Sequence, residues 1–259
     1  MNAKMNQVSP EDVRALLDLM VEVSERRSDA RQWRRHALEG LCRLLEAQVA
    51  LTANIRNHHV SGQARLDLLV DTGWSNGTHR RAFVGHLRKR PLADPLAASI
   101  VNHESWAPGH SVAIAREEAV PDHVWYSCPD MQRIYKGADV NHGLCWMYCG
   151  PEHGMSIGVR VFRPWGETKR FTDREVALLE LAGSQLSKLY LAEMREQATG
   201  PKLPPRARQT LSLLKSGKSE REIAEILDIS PHTVHDYIKG IYKHYKVASS
   251  RELLANFID

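Results

Sequence analysis

A row of polar side chains is predicted on one face of a helix near the carboxyl end of the chain. Between Pro231 and Tyr245, the apolar residues Val234, Ile238 and Ile241 recur with the period of an α-helix. That period leaves five polar side chains on the opposite face: His232, His235, Asp236, Lys239 and Lys243. Imidazole, carboxylate and ammonium groups in such a row can form hydrogen bonds with base edges and phosphate groups. We therefore expect this face to point outward.

Two short helices joined by a tight turn must hold this face in place. Ser219 and Glu222 form a capping box, in which the hydroxyl and the carboxylate satisfy backbone N–H groups at the start of the first helix. The turn falls at Asp228-Ile229, and Ser230-Pro231 begins the second helix. A capped helix pair of this kind is typical of units that read DNA in the major groove. The alternative is a small helical hairpin that has no nucleic-acid partner.

The last part of the chain, from Leu203 to Ile258, resembles the LuxR-type (GerE-like) helix-turn-helix of bacterial transcription regulators. The matching residues are Gly217, Glu222-Ile223-Ala224, Ser230, Thr233-Val234, Ile241-Tyr242 and Ser250-Arg251. The resemblance implies four helices, double-stranded DNA as the partner and a homodimer. The chain departs from the family pattern in its start, Leu203-Pro204-Pro205-Arg206-Ala207, and at His235 and Tyr237 of the second helix. These departures concern the target sequence rather than the fold.

The resemblance also implies roles for individual residues of this domain. By position, His235, Asp236 and Lys239 would read base edges. The residues suited to backbone contact or positioning are Ser230, His232, Thr233, Lys243 and Arg251. The residues Leu253, Leu254 and Phe257 recur on one side of a final amphipathic helix, the element that the family uses to dimerise.

The last DNA-binding region of bacterial sigma factors, a related helix-turn-helix, is the second interpretation of this segment. The start Leu203-Pro204-Pro205-Arg206 is more similar to that region, and it would make the protein a promoter-recognition factor that partners RNA polymerase. Such a unit would end near Lys243, whereas Val247, Leu253 and Leu254 continue into another helix. The length of chain after the recognition helix therefore favours the LuxR-type domain.

Length and charge indicate a larger domain in front of this one. The chain has 259 residues, and domains average about 150 residues, so two domains are expected. We predict a sensor and dimerisation domain at residues 1–196, a linker at 197–202 and the helix-turn-helix domain at 203–259. Of the formal net charge of +4, residues 201–259 contribute +3, because they hold ten Lys and Arg against seven Asp and Glu. This excess suits a polyanionic partner.

The front domain is predicted to be α+β, with an antiparallel sheet flanked by helices. Strands are expected at 47–55, 64–70, 111–116, 143–149 and 155–163. Helices are expected after Ser9, at 29–46, 78–88, 122–126 and 130–135, and from Thr172 to about Arg195. A proline-containing loop follows residue 88, and residues 150–154 form a hairpin loop. This order resembles GAF- and PAS-like sensor modules, and residues 120–189 resemble the sensor half of a common class of LuxR-type regulators.

Four aromatic residues of the front domain could line a pocket for a small planar or acyl ligand. They are Trp125, Tyr126, Trp146 and Tyr148. Ligand pockets are mostly apolar with a few polar groups, and these rings supply both. The alternative, which we favour, is that the rings fill the core. The sequence assigns no cofactor, so a small-molecule ligand of the front domain is the candidate occupant.

Three cysteines of the front domain could form a redox switch or a metal site. Cys145 and Cys149 lie four residues apart on a predicted strand and so on one face, and Cys128 could lie nearby. We favour buried, unreactive thiols instead. The histidines, including His142, show no metal-binding spacing and are expected in loops or at the surface.

Other classes of function lack their sequence signals. No apolar stretch approaches the ~18 residues of a membrane span, and the start of the chain lacks the apolar segment of a signal peptide, so a cytoplasmic protein is expected. The chain has no phosphate-binding glycine loop, no Gly-x-Ser-x-Gly elbow and no HExxH motif, so no enzyme is predicted. The acidic pair of phospho-receivers and the Trp-and-Asp pattern of acyl-homoserine-lactone receptors are not evident. An enzyme with an appended DNA-binding module is the remaining alternative.

Overall fold

The chain folds into two compact units, Met1–Glu193 and Met194–Asp259, which we call the sheet unit and the helical unit. The structure is a computed structural model, and it describes residues 7–58, 63–92, 95–129, 132–150, 155–199, 203–245 and 247–255. The sheet unit combines strands and helices, whereas the described residues of the helical unit contain helices without strands. The predicted fold class, α+β followed by all-α, is therefore confirmed.

A five-stranded antiparallel sheet forms the middle of the sheet unit. Its strands are β1 (Val49–Arg56), β2 (Arg65–Thr72), β3 (Ser111–Ala115), β4 (Val140–Cys149) and β5 (Met155–Pro164), in the spatial order β2-β1-β5-β4-β3. The central pair runs from Val49 opposite Phe162 to Arg56 opposite Met155. Strands β1, β4 and β5 are buried along most of their length, which explains why their sequences are apolar on both faces.

Helices cover both faces of the sheet. One layer contains α1 (Pro10–Glu25), α2 (Ala30–Leu44) and α8 (Asp173–Thr199). The other layer contains α3 (Gly77–Lys89), α4 (Pro95–Val101), α5 (Arg116–Ala119), α6 (Asp122–Ser127) and the π-helical α7 (Gln132–Lys136). Cys145 and Met147 of β4 pack in the core of the second layer, whereas Trp146 between them lies against α8. Successive residues of a strand face opposite sides, so β4 contributes to both layers.

Gly183 allows helix α8 to approach the sheet closely. A Cβ atom at this position would lie only 2.2 Å from Cε2 of Trp146. Helix α8 has 27 residues and is the longest helix in the described part of the chain. Neither α8 nor any other described helix is long and apolar enough to cross a membrane.

The helical unit is built from α9 (Pro205–Lys215), α10 (Glu220–Leu227), α11 (Pro231–Tyr245) and α12 (Ser250–Ala255). All four helices contribute to one apolar core, which contains Ala207, Leu211, Leu214, Ile223, Ala224, Val234, Ile238, Ile241 and Leu253. Each helix is too short to be stable alone, so this shared burial stabilises them together. The predicted four-helix arrangement is confirmed.

Several predicted boundaries in the sheet unit differ from the structure, and strand β4, for example, begins at Val140 rather than at residue 143. Helix α4 occupies part of the segment that was predicted as a loop, because Leu96, Ala97 and Ile100 form a buried face between the prolines. The strand predicted to include Arg116 ends one residue earlier, since Arg116 begins α5. Helix α8 continues to Thr199, beyond its predicted end near Arg195. Residues 151–154 of the predicted hairpin loop lie outside the described residues.

Candidate nucleic-acid interface and candidate ligand pocket

Helix α10 begins with the predicted capping box. The N–H of Ser219 donates to the Glu222 carboxylate at 2.9 Å, and the N–H of Glu222 donates to the Ser219 hydroxyl at 3.3 Å. The hydrogen bond from the Ser219 backbone, followed by one from the Lys218 ammonium group, lowers the pKa of Glu222 to about 2. The helix ends at Asp228, where a φ of 51° redirects the chain toward α11. Local contacts thus fix both ends of α10.

The start of α11 involves two residues that were predicted to position the domain on DNA. The Ser230 hydroxyl accepts a hydrogen bond from the N–H of Thr233 at 3.1 Å, and the two hydroxyl oxygens lie 2.9 Å apart. Pro231 is the first helical residue, where its missing N–H costs nothing. Ser230 and Thr233 therefore hold the helix start together. Their contact with phosphates stays a prediction.

Helix α11 presents the predicted polar row to solvent. The exposed side chains are His232, His235, Asp236, Lys239 and Lys243. On the opposite side, Val234 and Ile241 are completely buried. The structure therefore brings the predicted base-reading residues His235, Asp236 and Lys239 onto one accessible surface, and their contact with bases stays a prediction.

Two carboxylates lie beside histidines of this row. The Nδ1 atom of His232 is 3.5 Å from the Asp236 carboxylate one turn later, and the Nδ1 atom of His235 is 3.4 Å from the Glu220 carboxylate of α10. All four side chains are largely exposed, so these contacts are weak. The sequence prediction missed Glu220, because its contact with α11 arises only when the two helices pack.

The fourth helix, α12, revises one part of the predicted dimer surface. Leu253 is completely buried in the core of its own unit, so the prediction that it meets a partner copy is wrong. Leu254 is half-buried and stays a candidate, whereas Phe257 lies outside the described residues. Arg251, near the start of α12, is exposed. The presence of α12 after α11 also favours the LuxR-type interpretation over the sigma-type one, as expected from chain length.

The four aromatic residues predicted to share a pocket lie in two separate layers. Trp146 and Tyr148 lie on the α8 face of β4, and their rings stack with centroids 6.4 Å apart. Trp125 of α6 packs on the other face, with its ring centroid 4.8 Å from that of Tyr135. Tyr126 also belongs to α6, and its hydroxyl donates to Asn141. The prediction of one pocket lined by all four rings is therefore wrong, because the sheet separates the pairs.

A buried polar network lies beside Tyr126. The Tyr126 hydroxyl donates to Oδ1 of Asn141 at 3.0 Å and lies at the limit of hydrogen bonding, 3.5 Å, from the guanidinium of Arg116. Arg116 is completely buried and donates to the carboxylates of Glu117 and Asp122. The hydrogen bond from Arg116 is the main reason why the pKa of Asp122 is lowered. This network fixes α5 and α6 against each other.

His142 extends the network and departs from its prediction. It is buried in β4 rather than exposed in a loop. Its Nδ1 atom contacts the Glu117 carboxylate, and its Nε2 atom lies 2.9 Å from the backbone carbonyl oxygen of Glu167. Both ring nitrogens of His142 therefore have polar partners inside the protein. Strand β4 begins at Val140, three residues before its predicted start, and this earlier start places His142 in the interior.

The three cysteines of the predicted redox or metal site are shielded from solvent to different degrees. Cys145 is buried in the core, and Cys128 packs half-buried against the same core. The Sγ atom of Cys149 lies 3.8 Å from Nε2 of His58, and burial raises the pKa of this thiol. A raised pKa disfavours the reactive thiolate. In the part of the chain that the structure describes, no three His, Cys, Asp or Glu side chains are grouped to hold a metal ion.

Similarity to solved structures extends over both units. SdiA in complex with octanoyl-rac-glycerol is 15% identical, with a TM-score of 0.50 over 96% of this chain and 95% of that chain. CepR2 of Burkholderia cenocepacia, an N-acylhomoserine-lactone-dependent LuxR family factor, is 13% identical, with a TM-score of 0.45 over 74% and 100% of the chains. A GAF domain of a phosphotransferase from Coxiella burnetii is 18% identical, with a TM-score of 0.43 over 71% and 98%. The likeness to SdiA shows a shared fold.

The helical unit also matches a family by sequence. Residues 201–256 match the model of bacterial regulatory proteins of the luxR family, and this range contains helices α9 to α12. Among curated proteins, none matches the chain. With a luxR-family domain at residues 201–256, the chain is a DNA-binding transcription regulator.

Proposed function

We propose that the protein binds a roughly palindromic DNA site as a homodimer and that its sheet unit responds to a small-molecule signal. The observation that carries the DNA-binding half is the capped pair of α10 and α11, which presents a continuous polar face over a buried apolar one. A helix of this kind enters the major groove with its first turns against the base edges. The proposal places the protein in the cytoplasm, where bacterial DNA lies.

The polar face of α11 divides into two groups in this proposal. His235, Asp236 and Lys239 lie within the first two to three turns of α11 and read base edges. Lys243, one turn further, contacts phosphates, which gives binding that depends on salt but not on sequence. His232 and Arg251 are exposed and suit the same backbone role.

The homodimer is supported by an apolar stripe on α1. Val13, Leu17 and Val21 recur every four residues, and their exposed fractions are 40%, 59% and 59%. Three large apolar side chains on one line of a surface helix are typical of an interface with another helix. The same helix buries Leu16 and Val23 against the rest of its unit, so the stripe is not needed for the internal core. The half-buried Leu254 of α12 provides a second, smaller candidate surface.

Two observations support the proposal that the sheet unit responds to a small molecule: helix α8 leads from the sheet unit toward the DNA-binding domain, and the fold is shared with SdiA. Helix α8 begins in the sheet unit and continues to Thr199, a few residues before α9 begins. A ligand that changes the packing of α8 in the sheet unit can therefore change the strain on the segment that leads to the DNA-binding domain. SdiA, which shares the fold, has been solved with octanoyl-rac-glycerol. We propose a small molecule as the signal here too, with RNA polymerase as a partner if the protein activates transcription.

Selection of binding sites from a random duplex pool tests the central proposal. The full-length protein should enrich one motif with two related half-sites spaced by about one helical turn of DNA. Enrichment of a single half-site would contradict the dimer. Failure to enrich any motif, with no retention of duplex DNA even at low salt, would contradict DNA reading by α11.

A further inference from the structure

Two side chains of opposite charge lie beside the apolar stripe of α1. Arg14 and Asp18 directly follow Val13 and Leu17 of the stripe, so both lie on the same flank of it. Both are exposed, and neither forms an ion pair among the residues that the structure describes. The stripe and its flank therefore offer a partner one apolar line, one positive group and one negative group.

The other sides of α1 contact the sheet unit. Val23 is completely buried. Arg174 of α8 donates to the Asp12 carboxylate at 2.9 Å. The Glu22 carboxylate lies 2.6 Å from Nε2 of His36 on α2. These contacts hold α1 against its own unit without the stripe, so the stripe and its flank are available to a partner.

The stripe complements itself when two copies of α1 lie antiparallel. A two-fold axis that passes through Leu17 and is perpendicular to both helices places Val13 opposite Val21 of the partner subunit. Such an axis also brings the same flank of both helices together. Arg14 then lies within two residues of Asp18 of the partner subunit, which is about 3 Å along the helix axis. By symmetry, this opposite-charge contact occurs twice.

Other partners match the charges less well. Parallel helices would place equal residues at equal heights, so that Arg14 faces Arg14 and Asp18 faces Asp18, and like charges repel. A partner of uniformly positive or uniformly negative charge would satisfy only one of the two groups. Charge complementarity therefore favours a second copy of this chain in the antiparallel orientation.

We infer that α1 pairs with α1 of a second copy in antiparallel orientation, with Leu17 on the two-fold axis and Arg14 beside Asp18 of the partner subunit. The inference rests on the proposed homodimer and adds the geometry of its contact. Because the interface is symmetric, each substitution in it acts twice.

Disulfide cross-linking of the full-length protein tests the orientation, with non-reducing electrophoresis as the measurement. Leu17→Cys should cross-link with itself, because the two copies of position 17 meet at the axis. Val13→Cys and Val21→Cys should not cross-link alone, since these positions are about 12 Å apart along the helix, but an equimolar mixture of the two should. The matched control is Ile226→Cys, at an aliphatic residue with 53% exposure on α10. The unmodified protein reports any cross-link through the native cysteines.

Exchange of the two charges tests the flank by sedimentation velocity. Arg14→Asp and Asp18→Arg should each raise the dimer dissociation constant about fivefold, because each turns two attractive contacts into repulsive ones. The double variant should return to within about twofold of the unmodified protein. An equimolar mixture of the two single variants should also dimerise well, since each copy then meets the opposite charge. Circular dichroism of each variant separates loss of the dimer from loss of the fold.

Four results would overturn the inference. Cross-linking of Val13→Cys with itself would show parallel helices. Equal cross-linking by Leu17→Cys and Ile226→Cys would show random collision. A dimer that neither cross-links through Leu17→Cys nor responds to the charge exchange would refute the pairing of α1 but leave the proposed homodimer in place. A protein that stays monomeric at every concentration, free and on DNA, would refute the homodimer and this contact together.

Discussion

The two units differ in where they place charged side chains. The sheet unit buries charges and pairs them: Arg34, Arg116, Arg163 and Glu175 are each at most 3% exposed. Among the described residues of the helical unit, Thr210 is the one buried polar residue. The charged residues described in that unit contact solvent. A buried charge must keep its partners, whereas an exposed charge is free to exchange them. The sheet unit thus uses charge to fix its own structure, and the helical unit keeps charge available for DNA.

Arg163 of β5 shows how the sheet unit uses a buried charge. Its guanidinium donates to the Glu175 carboxylate at 3.0 Å and to the backbone oxygens of Lys169 and Arg170 at 2.9 and 2.7 Å. It also donates to the backbone oxygen of Leu45 at 3.2 Å. One side chain therefore ties β5 to the segment before α8 and to the end of α2.

The largest effect is expected from Arg163→Ala. This change leaves Glu175 buried without its cation, so the free energy of unfolding of the sheet unit should fall by about 3–5 kcal/mol. All six tryptophans lie between residues 33 and 165, so tryptophan fluorescence during urea unfolding reports on the sheet unit. The matched change in the helical unit is Arg221→Ala, which breaks an exposed pair with Glu225 at 3.4 Å. It should cost at most about 0.5 kcal/mol by circular dichroism, and similar losses in both variants would refute the comparison.

A second effect separates base reading from backbone contact on α11. Lys239→Ala should weaken binding to the preferred DNA site by about 1–3 kcal/mol and have little effect on random DNA, if Lys239 contacts a base edge. Lys243→Ala should weaken binding to both kinds of DNA by similar factors and reduce the salt dependence, because it removes a phosphate contact. Fluorescence anisotropy at several salt concentrations measures both quantities.

The two lysine variants control for each other, because each removes one exposed ammonium group from the same helix. A uniform loss on every sequence with Lys239→Ala would make that lysine a backbone contact. A change in sequence preference with Lys243→Ala would make it a reader. Site selection with Asp236→Ala adds a third test, since an unchanged motif would show that Asp236 does not read bases.

A third effect concerns the exposed stripe of α1. Leu17→Asp places a charge in the middle of the stripe, so we expect the dimer dissociation constant to rise at least about tenfold, or 1.4 kcal/mol. Ile226→Asp is the matched control, since Ile226 is also a large exposed aliphatic residue, at 53% exposure, but lies in α10. Sedimentation velocity over a concentration series measures both variants. A dimer weakened equally by Ile226→Asp, or unaffected by Leu17→Asp, would remove α1 from the interface.

The sequence predicts the features that depend on neighbouring residues and misses those that depend on contacts between distant segments. The capping box at Ser219, the turn at Asp228 and the buried period of α11 depend on residues within a few positions of one another, and all of them were predicted. The partners of Arg163 and His142 come from distant segments, and no local pattern indicates them. The face on which Trp125 lies depends on how α6 packs, whereas strand alternation alone places Trp146 and Tyr148 together.

The dimer surface shows a second limit of sequence reasoning. The period of Leu253 and Leu254 predicts an amphipathic helix correctly, but it does not say what the apolar face contacts. Leu253 completes the core of its own unit, because α12 packs back onto the other three helices. The exposed stripe on α1 is not recognisable from the sequence, because α1 also carries apolar residues that are buried. The pattern of apolar residues does not distinguish the buried ones from the exposed ones.

A fourth, smaller effect is expected at the start of α10. Ser219→Ala removes the cap hydroxyl and should lower the stability of the helical unit by about 1 kcal/mol, measured by circular dichroism. Glu222 adds a pH dependence, because its pKa is about 2 in the folded protein against an ordinary value of 4.5. Its stabilising contribution is therefore complete above about pH 4.5 and is lost as the pH falls toward 2. Glu222→Gln should remove this part of the acid sensitivity, and an unchanged pH profile would contradict the role of the carboxylate.

The smallest expected effect tests whether the charged side chains of the helical unit are free to contact DNA. The Glu220 carboxylate lies 3.4 Å from Nδ1 of His235, next to the surface proposed to face DNA, and phosphates repel it. Glu220→Gln should therefore strengthen binding on every sequence by less than about 1 kcal/mol, an effect that fades at high salt. Glu225→Gln is the matched control, because it removes the same charge from the same helix but its partner is Arg221. Weaker and less selective DNA binding by Glu220→Gln would mean that this carboxylate orients His235 for base reading. One charged side chain of the helical unit would then hold a neighbour in place, as the buried charged side chains of the sheet unit do.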